Sequence, residues 1–527
     1  MYPNQVLVRN QTEYASEKAS FWSTVQGAAS PACFFAPSSP QEVSTAVVAS
    51  RKDQCQFAVK SGGHYSFEAS TIDNGLVVDL AHLNRTTVSS DRKSAIIEPG
   101  SRWSSVYPIL QEHNLTVPGG RMFGVGVGGL TLGGGISWLS NLHGLTCDNV
   151  LEYEVVLADG QIVTVTPGAY PDLYWALRGG GSNFGIVTKF KFNVFEQGKM
   201  WNGNLKYSSN ANVSANAAFV NWGDRLVETD LKSGGVLLWD ANIDSSPTGT
   251  AILTHSDTFA DDAHPKAFDG FYEVGPSNIS AGNAYHAEIA DGLVFPGGVT
   301  RNSFWTTSFE LDGEMTQTVF DIWNEESKTI ASLATQQLQL QIFTRSQLNF
   351  MKTNGGNPTG LAGQSRPVGF VNIVAMWEKA EDDETVYRTQ QRIEDRINTA
   401  SKERGLYNAY KYTNYASQFQ DPFSGYGSAN KARLLQIAKT YDPEGVFQTL
   451  VSGGFKLTRV RFTDATTGLI IASNAVKLAE QKHDCEVPRP PSLHLNLVPP
   501  TISASGNAAH RRMIWPHLSN SVVTDRK

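Results

Sequence analysis

The chain has 527 residues, 40% of them hydrophobic and 18% charged, which excludes an intrinsically disordered chain and implies two or more domains. Its 43 Lys and Arg against 50 Asp and Glu leave a net charge of −7, and no basic cluster is dense enough for a nucleic-acid groove. No uncharged run reaches the ~20 residues of a membrane span, and the 4 cysteines are too few for a disulfide scaffold and include no C-x-x-C zinc pair.

In chain order, MYPNQVLVRNQTEYAS shows no basic and apolar leader, so the chain as it stands reads as intracellular, and secretion would require a leader upstream. Ser39-Pro40-Gln41-Glu42 is a capping box with Pro at the first helical position, and it opens an apolar helix to about Lys52. Cys33 and Cys55 flank that helix, a spacing that fits either one disulfide or two buried thiols. Strand-like CQFAVK runs into Ser61-Gly62-Gly63-His64, and GLVVDL and SAIIEP follow as strands. An aromatic-bearing helix spans about Trp103–His113. VLEYEVVLADGQIVTVT reads as a hairpin turning at Asp159-Gly160. In IVTKFKFNVF, Phe190, Phe192 and Val194 alternate as on a half-buried strand. From about 200 to 400, GGVLLW, AILTH, LQLQIF and FVNIVAMW alternate with helical stretches, the clearest between Asp383 and Gly405. This pattern predicts an antiparallel sheet packed on helices. Beyond 457 the chain turns basic and Pro-rich and loses periodicity, which predicts a disordered tail over 458–527.

Three glycine-rich stretches concentrate the chemical signal. In residues 118–135 every second residue on average is glycine, and Gly124, Gly126 and Gly129 satisfy G-x-G-x-x-G. A dinucleotide site of that type needs a helix at its last glycine, and three more glycines at 133–135 would break one. The stretch reads as tight turns, or as backbone brought close to a flat or anionic ligand. Ser61–Ser66 after a strand could form an anion-binding nest, and Arg178–Gly185 lies between a helix and a strand. Three such loops suit a long ligand with a pyrophosphate waist. His64 has no second His, Cys or carboxylate near it in sequence, so no metal is expected.

KSGGHYSFEAS, GVGVGGLTLGGGISW, GLTCDNV, the LADG turn, LYWALRGGGSNFGIVTKFKF, YTNYAS and YDPEGVFQTLVSGGFKL together resemble the berberine-bridge-enzyme-like flavoproteins. These share the vanillyl-alcohol-oxidase type of FAD-binding fold, and the likeness is strongest to fungal 6-hydroxynicotine-oxidase-like members of secondary metabolism. The resemblance covers about residues 20–457. It implies an α+β fold: a two-subdomain PCMH-type FAD-binding domain at 1–200, an inserted substrate domain of antiparallel sheet packed on helices at 201–405, and a C-terminal FAD-binding segment at 406–457. It implies that Ser61, Gly62, Gly63, His64, Ser66, Gly126, Gly128, Gly129, Gly133, Gly134, Asn149, Gly185, Val187, Asn414 and Tyr415 hold FAD. His64 stands where the family attaches FAD covalently. Met122 replaces the cysteine of a second link, so one bond is expected.

Val125 takes the position where a small residue is associated with dioxygen access. Tyr412 matches the family's base, which needs a phenol lowered from ~10 by a nearby cation or donors. The aspartate that usually follows is replaced by Ala416-Ser417. From the residues alone, Tyr412 and Tyr415 read equally as ring-packing side chains on a strand. Arg301–Trp305, Asn372, Met376 and Trp377 are candidate substrate walls, or core. The implied activity is hydride transfer from a small organic substrate to FAD, with dioxygen reduced to hydrogen peroxide. A flavin dehydrogenase with another acceptor, or an oxidative cyclase, is the alternative; no obligate protein partner is evident.

Overall fold

Ser39 caps the helix Pro40–Lys52 as the capping pattern requires, and in the computed structural model its hydroxyl accepts the Glu42 N–H at 3.3 Å. The Glu42 carboxylate closes one residue earlier than expected, accepting the Ser38 N–H at 2.7 Å. Residues 3–241, 246–293 and 300–458 and the strands Val460–Thr463 and Ile470–Ser473 are described, all within one compact unit spanning Met1–Cys485. Those two strands pair antiparallel; the rest of the expected tail lies outside the described residues.

Val43, Ala46 and Val47 of the capped helix pack on Phe35, Phe57 and Val78. The last three belong to parallel strands Cys33–Phe35, Leu76–Asp79 and Phe57–Lys60, with Val6–Val8 antiparallel at the edge. Cys33 carries a free thiol, so no bond joins it to Cys55. A second sheet is antiparallel, in the order Thr86–Val88, Ser94–Ile97, Ile186–Asn193, Val150–Val156, Ile162–Val165. Phe190 and Phe192 are buried there while Lys189 and Lys191 are half-buried, the expected two-residue period. Chain from the other end closes this region: Val451 bridges Phe57, and the Gln448 amide donates to Asn183 Oδ1 at 2.9 Å.

The third sheet has eight antiparallel strands: Asn278–Ala284, Met200–Tyr207, Thr248–His255, Ser233–Ala241, Ala334–Phe343, Val368–Trp377, Arg301–Glu310 and Tyr407–Asn408. Leu338, Leu340 and Ile342 face the helices Gly313–Ser327 and Asp383–Glu403, packing with Val319, Trp323, Ile393 and Ile397. The intervening Gln337, Gln339 and Gln341 must point to the opposite face. Two of these strands carry no alternation that the sequence shows. Arg301–Glu310 is buried along almost its whole length, so nothing alternates, and the edge strand Asn278–Ala284 is polar and mostly exposed. Among the described residues, no helix is long and apolar enough to cross a membrane.

Candidate active site

The strand Phe57–Lys60 delivers Ser61–His64 against the glycine-rich stretch so closely that the two backbones touch. A Cβ on Gly126 would lie 2.4 Å from the Gly62 nitrogen, and one on Gly62 would meet the Gly126 nitrogen at the same distance. The Ser61 hydroxyl bonds the loops together, donating to the Pro99 carbonyl at 2.5 Å and accepting the Gly128 N–H at 3.2 Å. A helix does open here, Val127–Leu132, and Gly133 ends it after 6 residues. Gly126→Ala is therefore expected to lower the melting temperature by an amount equivalent to about 1–3 kcal/mol, since backbone must move. In flavin-free protein Gly129→Ala should not, because nothing lies within 4 Å of its Cβ position; equal calorimetric melting points for the two flavin-free variants would refute this contact.

His64 stacks on Trp22 at 4.5 Å with planes 9° apart, and Trp22 packs on Phe304. Behind the loop, Gln26 donates to the carbonyls of Gly63 and Tyr65 at 3.2 and 2.7 Å and accepts the Ser70 N–H. His64 is open to the interior cavity but removed from bulk water, and this desolvation, with Arg102 nearby, lowers its imidazole to about 4 despite an opposing backbone hydrogen bond. It is neutral at neutral pH. Trp22 and Gln26 were not anticipated, because the N-terminal segment carries no glycine pattern or motif.

Tyr412 precedes a short turn, Thr413–Tyr415, and does not lie on a strand. Its ring meets Tyr415 edge-on at 4.8 Å. Asn414 donates to the Tyr412 hydroxyl and to the Leu130 carbonyl, both at 3.0 Å. This explains Gly133, where a Cβ would lie 2.0 Å from Asn414 Oδ1. Burial pushes the Tyr412 phenol well above its usual range and outweighs the Asn414 hydrogen bond and Arg121. The lowered phenol that a resting base requires is thus not produced here. The cation expected beside Tyr412 is hydrogen-bonded to its neighbour instead: Arg121 donates to the Tyr415 hydroxyl at 2.8 Å and to Gln341 Oε1 at 2.7 Å.

These groups border one cavity of about 430 Å³, within the size range of cofactor and ligand sites. Its wall includes Ser61, Gly62, Gly63, His64, Gly126, Gly128, Gly129, Gly133, Gly185, Val187, Tyr412, Asn414 and Tyr415. Ser66, Gly134 and Asn149, also expected there, are not in it. Ser66 is buried away from the cavity surface. Gly134 backs the Tyr412 ring, and its carbonyl accepts the Cys147 N–H. Asn149 spends its amide on the carbonyls of His143 and Leu145, at 2.8 and 2.9 Å. Of the candidate substrate walls, Phe304 and Asn372 reach the cavity. Arg301 and Trp377 bond to Asp383, and Trp305 to Glu394, fastening the sheet to its helix. Met376 packs in the cluster of Trp22, Phe304 and Val374.

The glutamine face was missed. Asn372 donates to Gln339, Gln339 to Gln337, and Gln337 to Asp240, at 3.2, 2.6 and 2.6 Å. Alternating glutamines in LQLQIF were the available signal. Among the described residues, no group of three or more His, Cys, Asp and Glu is placed to hold a metal.

The wall fits FAD. Gly129 presents bare backbone to the cavity, as close approach of a flat or anionic group requires, and no Asp or Glu among the described residues lines it to repel a pyrophosphate. The FAD binding domain family matches residues 31–166. The chain is 35% identical over 474 residues to the FAD-dependent monooxygenase tpcD of Cochliobolus heterostrophus, covering 86% of this chain and 90% of that protein. It is 34% identical over 469 residues to the FAD-dependent monooxygenase sdcF of Emericella nidulans, covering 86% and 96%. Among solved structures, 6-hydroxy-D-nicotine oxidase from Arthrobacter nicotinovorans superposes with a TM-score of 0.70 at 21% identity over 84% of this chain and 96% of that one. Berberine bridge enzyme from Eschscholzia californica gives 0.69 at 17% identity over 86% and 97%. The fold is the PCMH-type FAD-binding fold of 6-hydroxy-D-nicotine oxidase and berberine bridge enzyme, and the chain belongs to the family of FAD-dependent oxidoreductases that includes tpcD and sdcF.

Proposed function

We propose that the protein oxidises a small organic substrate by hydride transfer to FAD, held through a single bond to His64, with dioxygen as electron acceptor. The observation that supports this best is the convergence on one cavity of His64 and its glycine loops with Tyr412, Asn414 and the amide face of the eight-stranded sheet. When bound, FAD supplies the hydride acceptor and the passage of electrons to dioxygen. Ser61, Gly62, Gly126, Gly128 and Gly129 bring backbone to the cofactor, and Trp22 and Gln26 fix the His64 loop. Tyr412, neutral and hydrogen-bonded from Asn414, keeps its own hydrogen free to bond the substrate oxygen and favour its ionised form, from which hydride departs as the carbonyl forms. Val236, Leu238, Ile252 and Leu293 make the outer wall apolar and limit water.

A second reading, incorporation of one oxygen atom into the product, is favoured by the relatives, which are named monooxygenases. Both readings consume dioxygen and part at the product. With the first compound found to bleach the flavin anaerobically, the oxidase reading expects one hydrogen peroxide per dioxygen and no label from ¹⁸O₂ in the organic product. Label in the product with peroxide suppressed would establish the monooxygenase. Turnover with a dye but no oxygen uptake would make it a dehydrogenase.

A further inference from the structure

Among the described residues of the cavity wall, Arg121 is the one guanidinium, and none is Asp or Glu. Both of its hydrogen bonds leave from Nη2, to the neutral Gln341 and Tyr415, so the rest of its five-donor fork is uncommitted among the described residues. Its guanidinium lies 5.2 Å from the centroid of the Trp138 ring. Trp138 packs with Val236, Ile252 and Ile289, which places the cation between the apolar side of the chamber and Tyr415. Two further polar atoms of the wall have no partner among the described residues: Asn372 Oδ1 and Trp138 Nε1, on residues only 1% and 4% exposed. An inward-facing cation without a counter-charge is costly until a ligand brings one. Its planar fork suits two oxygens sharing a negative charge.

We infer that the chamber takes a substrate already ionised at oxygen, a carboxylate or the enolate of a 1,3-dicarbonyl on an apolar body, with Arg121 as its counter-ion. The inference rests on the oxidation reading above and extends it to substrate class. For an enolate it removes a difficulty of that reading, because hydride loss from the carbon next to the enolate leaves a neutral enone and needs no resting base in the wall; a carboxylate would serve as the anchor only. Gln341 and Tyr415 then hold the guanidinium in place, and Trp138 supplies both an apolar floor and an N–H at its edge.

The test uses the full-length, flavin-loaded protein, with benzoate and its neutral analogue benzamide as probes read by perturbation of the flavin spectrum. Benzoate is expected to bind at least about tenfold more tightly than benzamide. Arg121→Gln should erase that preference at unchanged flavin content, and Arg121→Lys should restore part of it, since a point charge replaces the fork. Equal binding of the two probes to wild type, or a preference that survives in Arg121→Gln, overturns the inference and leaves the oxidation reading standing. Loss of flavin from Arg121→Gln would assign the anion to the cofactor and also overturn it. A wild-type protein that retains no flavin overturns both.

Discussion

Replacement of His64 by alanine is expected to yield a folded protein from which acid precipitation strips every flavin, whereas the wild-type pellet stays yellow and gives one flavin peptide containing His64. The imidazole is held in the cavity wall by its stack on Trp22, in a loop clamped from behind by Gln26, so little entropy remains to be lost in reaching a fixed partner. Burial also lowers its pKa to about 4. Below that value the ring is protonated and has no lone pair to form a bond; above it the neutral nucleophile dominates. The rate of attachment to apoprotein supplied with FAD should therefore be flat between pH 6 and 8 and fall as pH drops through about 4. A group with its ordinary pKa would lose rate already near 6.5. Met122 lies in the same wall and cannot form a stable thioether, so no second flavin peptide is expected. His64→Ala should also lower the flavin potential and slow turnover. Flavin released from wild type into the acid supernatant would show that His64 only contacts the cofactor.

Tyr412→Phe keeps the ring and its packing on Phe343, Phe370 and Tyr415 but removes the donor aimed at the substrate oxygen. Anaerobic flavin reduction should slow by about 10²–10³-fold at unchanged flavin content, because without the donor less of the bound substrate is ionised at the oxygen that becomes the carbonyl. The loss should be the same at pH 6 and pH 9, because burial holds the phenol protonated throughout that range. Were Tyr412 a base with a lowered pKa, the penalty would instead grow as the wild-type phenol ionised. An unchanged rate in the variant would remove Tyr412 from the chemistry, with Tyr415→Phe the next substitution to measure.

Much of the fold was legible because it rests on short-range chemistry. Ser39 and Glu42 terminate a helix through bonds that span only a few residues. Asp159-Gly160 can turn the hairpin because Gly160 adopts φ +88°. Phe190 and Phe192 alternate with lysines because one sheet face is wetter than the other. Arg301–Glu310 was illegible as a strand because the helix Asp383–Glu403 covers one face and Trp22 and Tyr415 the other, which erases the pattern that periodicity reads.

By itself, the sequence determined that three glycine-rich loops leave backbone uncovered by side chains, that His64 lies in one of them, and that Met122 cannot supply a second thioether. These follow from side chains that are missing or chemically restricted, and need no partner. Only the tertiary structure decided which groups share a cavity. It took Ser66, Gly134 and Asn149 out of the wall and brought Trp22, Gln339, Gln341 and Asn372 to the site or its support. It also joined Arg121 to Tyr415 across 294 residues of chain. The protonation of Tyr412 belongs to the same class, because desolvation and the placement of a single cation depend on residues brought together only by folding.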